Sequence, residues 1–308
     1  MWDDLVKRSN EGTLFHTLKF LSYHEDRFRS NEHHLIYYNG EAPCGGIPLA
    51  IFEEAGKKTA RSPFGASCGG PFFDRVLNYE DSMLAVELLL AHLIEAGVAS
   101  FRVTLPLRCY YRQYSDTFRL ALLEHGFLCM NRDISSVVCL SGNSGLEACV
   151  TSRLRNATRK AEKSGVVIKH RAPLDDFWFL LSKTYEKLNL KPTHTMAELR
   201  RLSDMFPDEI YFDVAYLQDR PLAGIAFFVL NKIVNSSFYL CHDSQYQQYQ
   251  ALSLLVYESL KMEAEHGFHW FDFGTSSLQQ KGSKNLFLFK ESFGAVGEFR
   301  ESYEWRGQ

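Results

Sequence analysis

Two segments of the sequence share one pattern, 170 residues apart, and this repetition limits what the chain can fold into. Each segment has apolar residues at helical spacing that end in Glu-x-Gly, and a β-type run follows. The segments are Met83–Val103 and Ser253–Phe273. In each, the glycine (Gly97 or Gly267) is expected to end the helix in a left-handed conformation. The pattern predicts two copies of one helix–turn–strand unit.

The flanks of the two segments also agree. β-type runs precede each predicted helix, among them Gly46–Phe52 as one strand, and a short helix and strand follow each predicted strand. A Gly/Ser-rich stretch, Ser141–Gly145, separates the halves, as is typical of a domain junction. The sequence therefore predicts a mixed α/β (α+β) protein of two similar domains, residues 1–145 and 146–308.

The composition fits a folded protein and narrows its functional class. The chain has 308 residues, more than one ordinary core, and 45% of them are hydrophobic. A net charge of −3 gives no general attraction for nucleic acid, so any phosphate-binding site must be local. Seven scattered cysteines without a Cys-x-x-Cys pair argue against a disulfide framework or a structural zinc site. No signal peptide or apolar span is visible, and we expect a cytoplasmic protein without a metal ion.

The strongest charge cluster follows the junction. Thr151–Arg171 contains seven basic residues and one acid, on a predicted helix that Gly165 ends. Arg155 and Arg159 lie one turn apart, and Lys160 is beside them. The cluster is either a solvated helix face or a docking site for phosphate, whose oxygens suit the arginine fork.

A turn-rich loop, Arg61–Pro71, precedes the first predicted helix. It contains Gly69 and Gly70, which would let the backbone approach a substrate and point free N–H groups at an anion. The alternative is a loop with a purely structural role.

Four polar side chains of the second half are candidates for chemistry. Asp272 ends a predicted strand and alternates away from its phenylalanine neighbours. Tyr239 and His242 end another strand, where their polar tips suit proton transfer or substrate contact. Lys290 lies among aromatic residues, where its ammonium group either reaches solvent or stabilises negative charge on a substrate. For Asp272 and His242 the alternative is a purely structural role, in which neighbouring groups satisfy the polar side chain.

The sequence carries no nucleophile elbow, Walker loop, His-Glu-x-x-His pair or dinucleotide fingerprint. Five motifs in order nevertheless resemble the Fem-type family of aminoacyl and acyl transferases, which has two tandem domains of the GNAT acyltransferase fold. The resemblance covers nearly the whole chain and rests on Gly12–Thr17, Ser62–Pro71, Arg155–Val166, Phe271–Gly274 and Phe289–Gly294.

The resemblance implies transfer of an acyl or aminoacyl group to an amine acceptor, such as one on a cell-wall (peptidoglycan) or polysaccharide precursor. It makes Lys290, in the Phe-Lys motif, the first candidate for stabilising negative charge, with Asp272 and Tyr239 as weaker catalytic candidates. Arg155, Arg159 and Lys160 would then bind phosphate on the donor or on a phosphate-bearing acceptor.

The acyl donor implied is aminoacyl-tRNA or acyl-coenzyme A. GNAT enzymes that use coenzyme A carry a glycine-containing loop before their long helix, and this chain has Gln245–Ala251 there, without a glycine. Two alternatives to the Fem-like transferase therefore stay open. One is a coenzyme A-dependent N-acetyltransferase acting on a sugar or small amine, and the other is a non-catalytic binding module with the same fold.

Overall fold

The computed structural model describes residues 1–141 and 145–307, so most of the predicted junction Ser141–Gly145 lies outside the described residues. The chain forms two compact units. The first comprises Met1–Ile134, Leu278–Lys281 and Glu298–Gln308, and the second comprises Ser135–Ser277 and Gly282–Gly297. These units differ from the predicted ranges 1–145 and 146–308 at the C-terminal segment, because Ser302–Arg306 pairs with a strand of the first unit. As domain boundaries, the predicted ranges remain a prediction.

The helices are numbered in chain order. The α-helices are α1 (Trp2–Arg8), α2 (Leu18–Leu21), α3 (Asp26–Arg29), α4 (Tyr79–Glu95), α5 (Thr117–Glu124), α6 (Gly145–Cys149), α7 (Ser152–Lys163), α8 (Leu174–Leu188), α9 (Met196–Met205), α10 (Ala251–Glu265) and α11 (Lys284–Glu291). Short 3₁₀ turns cover Leu14–His16, Ser22–His24, Arg108–Tyr110 and Ser244–Tyr249. Within the described ranges, no helix is long and apolar enough to cross a lipid bilayer.

The strands alternate with these helices. They are β1 (Leu35–Asn39), β2 (Ala42–Ile47), β3 (Ala50–Glu54), β4 (Lys57–Ser62), β5 (Phe72–Phe73), β6 (Val98–Thr104), β7 (Leu128–Cys139), β8 (Val166–Lys169), β9 (Ile210–Leu217), β10 (Arg220–Val229), β11 (Val234–His242), β12 (Trp270–Thr275), β13 (Ser277–Leu278), β14 (Lys281–Gly282) and β15 (Val296–Arg306). The single strand predicted over Gly46–Phe52 is wrong. The chain forms β2 and β3 instead, because Pro48 has no N–H group to continue a ladder.

Helix α4 and strand β6 form the predicted helix–turn–strand of the first unit. The Asn78 side chain caps α4 by accepting the Asp81 N–H at 2.8 Å. The apolar face of the helix, including Val86 and Leu93, packs with Phe101 of β6. Gly97 follows with φ +73°, which confirms the predicted left-handed cap.

Helix α10 and strand β12 form the corresponding segment of the second unit. Leu255 and Leu260 of α10 are fully buried against Phe271 of β12. The helix ends before Gly267, which has φ +85°, so this predicted cap is confirmed as well. Gly165, with φ +81°, ends α7 in the same way.

The second unit is built on strands in the order β12-β11-β10-β9-β8. Neighbours are antiparallel except for β11 and β12, which are parallel. Leu240 packs on the side of α7 and α10, whereas Tyr239 faces Phe177 of α8. Successive side chains of a strand point to opposite faces, so α8 covers the face away from α7 and α10.

Candidate active site

The second unit contains a cavity of about 420 Å³, within the range of ~300–1,000 Å³ that is usual for ligand sites. It lies where α7, α10 and α11 begin, beside the 3₁₀ turn that follows β11. Its walls are Arg153, Leu154 and Ala157 of α7; Leu222, His242 and Asp243 of the sheet; Tyr246, Gln247 and Gln250 of the turn; Ala251, Leu252 and Ser253 of α10; and Asn285, Leu288, Phe289 and Ser292 of α11 and its end.

Helix N-termini border this cavity. Residues from the first turns of three helices line it, namely Arg153, Ala251 and Asn285. The N-terminus of a helix carries partial positive charge because its first N–H groups have no partner within the helix. Helix α10 has no side-chain cap, since the Gln250 amide donates to the Gln247 carbonyl at 2.9 Å instead. Together with the Arg153 guanidinium, this arrangement suits an anionic ligand.

The backbone of Gln250 is unusual. It enters α10 with φ +55°, a left-handed conformation that glycine adopts more easily than other residues. The chain thus makes the sharp entry into α10 without the glycine that coenzyme A-dependent GNAT loops use. The turn therefore has Gln250 in the left-handed conformation in place of a glycine, and the cavity is present all the same.

The polar end of β11 forms one wall. Burial lowers the pKa of His242, and the nearby Lys187 charge lowers it further, so the imidazole is neutral near pH 7. Asp243 accepts a hydrogen bond from the Lys183 ammonium group at 2.6 Å and from the Gln245 N–H at 3.1 Å. Burial alone would raise the pKa of Asp243, but these donors more than offset it and the pKa is lowered. The wall therefore presents a neutral imidazole beside a fixed carboxylate.

Strands β11 and β12 separate as they approach this end of the sheet. Their parallel register runs from Val234↔Trp270 to Ser236↔Asp272. Beyond that point β11 continues to His242 in register with β10. Parting strands expose backbone groups that an extended ligand can bind by β-type hydrogen bonds.

Lys290 and Asp272, both predicted to be catalytic, lie at the end of β12. The Lys290 ammonium group donates to the carbonyl oxygens of Gly274 and Thr275 at 2.8 and 2.9 Å. Asp272 accepts the Gly274 N–H at 2.8 Å. Both side chains are buried, and neither lines the cavity. These contacts fix the end of β12, and the predicted catalytic roles stay predictions.

Tyr239, the third catalytic candidate, faces away from the cavity. Its hydroxyl accepts the His194 N–H at 3.1 Å and lies 2.9 Å from the Nδ1 atom of the same residue. Burial raises the pKa of Tyr239 to about 12, so the phenol keeps its proton at neutral pH. Its partners on the α8 face favour a structural contact with the segment that precedes α9.

The basic residues of helix α7 point to different sides of the helix. Arg155, Arg159 and Lys160 are exposed and do not line the cavity. Arg153, which belongs to the same basic cluster, does line it, together with Ala157 one turn later. A helix turns about 100° per residue, so Arg155 points roughly opposite to Arg153. The cluster was recognised from the sequence, but the residue that faces the cavity was not.

Other cavity residues were missed as well. Asn285 precedes the Phe-Lys motif Phe289–Gly294 and Ser292 lies within it, and both line the cavity. Their spacing of seven residues places both on one face of α11, which is a helical signal that was available. His242 is the predicted substrate-binding residue that the structure does place in the cavity wall.

The loop with Gly69 and Gly70 belongs to the first unit and favours the structural alternative. The Gly69 N–H donates to the Thr104 carbonyl at 2.9 Å, and the Gly70 N–H donates to the Ser62 hydroxyl at 2.8 Å. Neither N–H group is therefore free to bind an anion. Both glycines are needed for close packing, since a Cβ on Gly69 would lie 2.7 Å from the Ser62 hydroxyl oxygen.

Comparison with known proteins agrees with this architecture. Residues 150–282 match the family model described as an acetyltransferase (GNAT) domain. No curated protein sequence matches the chain. Because the matched range contains most of the cavity wall, from Arg153 to Ser253, the GNAT assignment applies to the part of the chain that forms the site.

Solved structures extend the likeness to the whole chain. FemX superposes with a TM-score of 0.75 at 13% identity, over 99% of this chain and 95% of FemX. L-PGS from Bacillus licheniformis gives 0.58 at 13% identity, over 91% and 86%. A conserved protein of unknown function from Bacteroides thetaiotaomicron gives 0.61 at 10% identity, over 98% and 95%. At these identities the likeness shows the fold.

The predicted fold class and the resemblance to Fem-type proteins are therefore confirmed at the level of structure. The GNAT match supports an acyltransferase of the GNAT kind. Residues 150–282 match the model of a GNAT acetyltransferase domain, and the chain as a whole has a fold similar to that of FemX.

Proposed function

We propose that the protein transfers an acyl group from acyl-coenzyme A to an amine, and that the cavity of the second unit holds the donor. The observation that carries this proposal is the position of the cavity, at the uncapped start of α10 within the GNAT domain. A diphosphate would bind the first N–H groups of α10 and the Arg153 guanidinium. The acyl arm would extend into the opening between β11 and β12.

The chemistry follows from this placement. The acceptor amine attacks the thioester carbonyl, a C–N bond forms, and the C–S bond breaks. The amine loses one proton and the departing thiolate gains one, so the products are an amide and a thiol. His242 is neutral near pH 7 and lies in the cavity wall, so it can accept the proton from the amine. Positioning the two reactants supplies much of the rate enhancement.

Aminoacyl-tRNA is the second candidate donor, as the Fem-type resemblance implies. Two observations favour it. The turn before α10 lacks the glycine of coenzyme A loops, and Arg155, Arg159 and Lys160 form an exposed basic face on α7. Such a face suits the phosphate backbone of a nucleic acid. The acceptor would then be an amine on a cell-wall or polysaccharide precursor.

Thermal unfolding with candidate donors tests the proposal. A ligand that binds only the folded protein raises its melting temperature. We expect acetyl-coenzyme A and coenzyme A to raise it, and unacylated tRNA to have no effect. A rise with tRNA alone would overturn the coenzyme A proposal in favour of the second candidate. If neither donor has an effect, a non-catalytic binding module becomes the best account of the fold.

A further inference from the structure

The first unit has a small notch that plays no part in the proposed acyl transfer. It holds about 20 Å³, which is room for one group the size of a water molecule (about 10–15 Å³ is the minimum for that). Glu11 and Asn10 lie at its base, just after α1, and Phe73, Tyr111 and Phe118 are among its walls. A carboxylate among mostly apolar and aromatic side chains is uncommon, because burying a charge without a counter-ion is costly.

The contacts of Glu11 come from neutral donors. One carboxylate oxygen accepts the Phe73 N–H at 2.9 Å, and the other accepts the Asn10 amide at 3.1 Å. Across residues 1–141 and 145–307, no lysine or arginine forms an ion pair with Glu11. The Arg119 guanidinium lies 5.6 Å from the centroid of the Tyr111 ring, but it pairs with Glu301 at 3.3 Å and donates to the Pro106 carbonyl at 3.1 Å. The negative charge of Glu11 thus has hydrogen bonds but no counter-ion.

Burial makes this lack of a counter-ion costly. It raises the pKa of Glu11 to about 7, although the N–H of Phe73, the Asn10 amide and the Arg119 charge lower it in part. A cation bound in the notch would supply the counter-charge that Glu11 lacks. The surrounding backbone is held firmly, since the Asn10 side chain exchanges two hydrogen bonds of 2.9 Å with the backbone of Gln113.

We propose that this notch binds the primary ammonium group of an organic cation, with the ammonium on Glu11 and the attached carbon chain directed outward. An –NH₃⁺ group is about as large as a water molecule, so it fits the volume, and its protons suit carboxylate oxygens. The aromatic rings of Phe73 and Phe118 can add cation–π attraction, whereas the Tyr111 ring already has the Arg119 guanidinium at 5.6 Å. The Ser115 hydroxyl, also in the wall, is already hydrogen-bonded to the Thr117 hydroxyl and N–H at 2.7 and 3.2 Å, so Glu11 is the acceptor that the proposal uses.

The test compares three compounds that differ in size and in charge. n-Butylammonium carries the proposed group, n-butanol has the same chain without the charge, and tetramethylammonium has the charge on a group too large for the notch. Isothermal titration of the intact protein with each compound measures binding. We expect saturable binding of n-butylammonium and none of the other two in the same range. Equal binding of n-butanol or of tetramethylammonium would overturn the proposal.

Two variants test whether n-butylammonium binds at Glu11 in the notch. Glu11→Gln keeps the size and the bond to the Phe73 N–H but removes the charge, and we expect affinity to fall about tenfold or more. Glu263→Gln is the matched control, because Glu263 is a buried carboxyl of the second unit whose pKa burial also raises. It should bind n-butylammonium as the unmodified protein does. Undiminished binding by Glu11→Gln would refute the proposal.

A third variant covers the case in which Glu11→Gln does not fold. Phe118→Leu removes one ring from the half-buried wall of the notch and leaves Glu11 in place. The loss of one cation–π contact should weaken binding of n-butylammonium about two- to fivefold. Unchanged affinity in this variant would contradict the proposed position of the ammonium group.

Discussion

The ammonium group of Lys290 lies 2.8 Å from the carbonyl oxygen of Gly274. A second bond, to the Thr275 carbonyl, completes a clamp on the end of β12. The clamp holds β12 just beyond the point where β11 leaves it, at Ser236↔Asp272. Lys290 therefore contributes to the shape of the opening between the two strands, through the backbone rather than through a contact with the cavity.

Lys290→Met tests this structural role. The substitution keeps the apolar stem but leaves the carbonyl groups of Gly274 and Thr275 without their charged donor, and we expect unfolding to become easier by about 1–3 kcal/mol. Urea denaturation measures the change. Lys284→Met, on the same helix and exposed, is the control and should stay within about 0.5 kcal/mol of the unmodified protein. Unchanged stability of Lys290→Met, with turnover reduced on the order of a hundredfold, would restore the catalytic interpretation.

Arginine substitutions on α7 distinguish the two donors. If acyl-coenzyme A binds in the cavity, Arg153→Ala should weaken its binding about tenfold or more, because a charge-assisted bond to phosphate is lost. Arg155→Ala with Arg159→Ala should leave that affinity unchanged, since both side chains point away from the cavity. Titration calorimetry with coenzyme A measures both.

The reverse result identifies a nucleic acid donor. If the double variant weakens binding of tRNA, and lowers the salt dependence of that binding, the exposed face of α7 contacts phosphates. In that case Arg153→Ala alone should have the smaller effect. Equal behaviour of all these variants with both ligands would leave the basic cluster as a solvated helix face.

The sequence was a good guide to local structure at α4 and α10, because the signals there are local. Apolar spacing sets the helix, and Gly97 and Gly267 end it with a conformation that other residues adopt reluctantly. The error at Gly46–Phe52 has the same origin, since hydrophobicity was weighed and the missing N–H group of Pro48 was not. Helices α8 and α9 received no prediction, although Thr195 and Glu198 form a capping box before α9.

The site was harder to predict, because side-chain direction depends on packing between distant segments. Arg153 and Arg155 belong to one basic cluster, and the packing of α7 against α10 decides which of them faces the cavity. The charge of Lys290 among aromatic residues is visible in the sequence, but its partners are carbonyl groups at the end of β12, 15 and 16 residues earlier. Backbone acceptors leave no mark in the sequence.

Gly70 provides a stability test in the first unit. It has φ +89°, and a Cβ there would lie 2.7 Å from a methyl group of Leu105. We expect Gly70→Ala to cost about 2–4 kcal/mol of folding free energy, through both the backbone conformation and overpacking. Gly56→Ala is the matched control, because φ is +73° there but the position faces open space. It should cost only about 1–2 kcal/mol, and an equal loss in both variants would show that packing against Leu105 is unimportant. Thermal unfolding monitored by circular dichroism measures both changes.

Glu11 gives the folded protein a distinct pH dependence. Its pKa is about 7 in the folded state, against 4.5 for an unperturbed glutamate, because the carboxyl is buried. Between these values the folded protein binds more protons than the unfolded chain does, so this residue makes stability fall as the pH rises from about 4.5 to about 7. A difference of 2.5 pH units corresponds to about 3 kcal/mol.

His16, whose pKa burial lowers to about 4, acts in the opposite direction over pH 6.5 to 4. The contribution of Glu11 is isolated by subtracting the stability profile of Glu11→Gln from that of the unmodified protein, since His16 is common to both. Urea denaturation at half-unit pH steps should show the variant gaining stability relative to the unmodified protein up to about pH 7 and a constant difference above it. A difference that does not change with pH would mean that Glu11 remains ionised throughout, and therefore that a counter-charge already lies beside it.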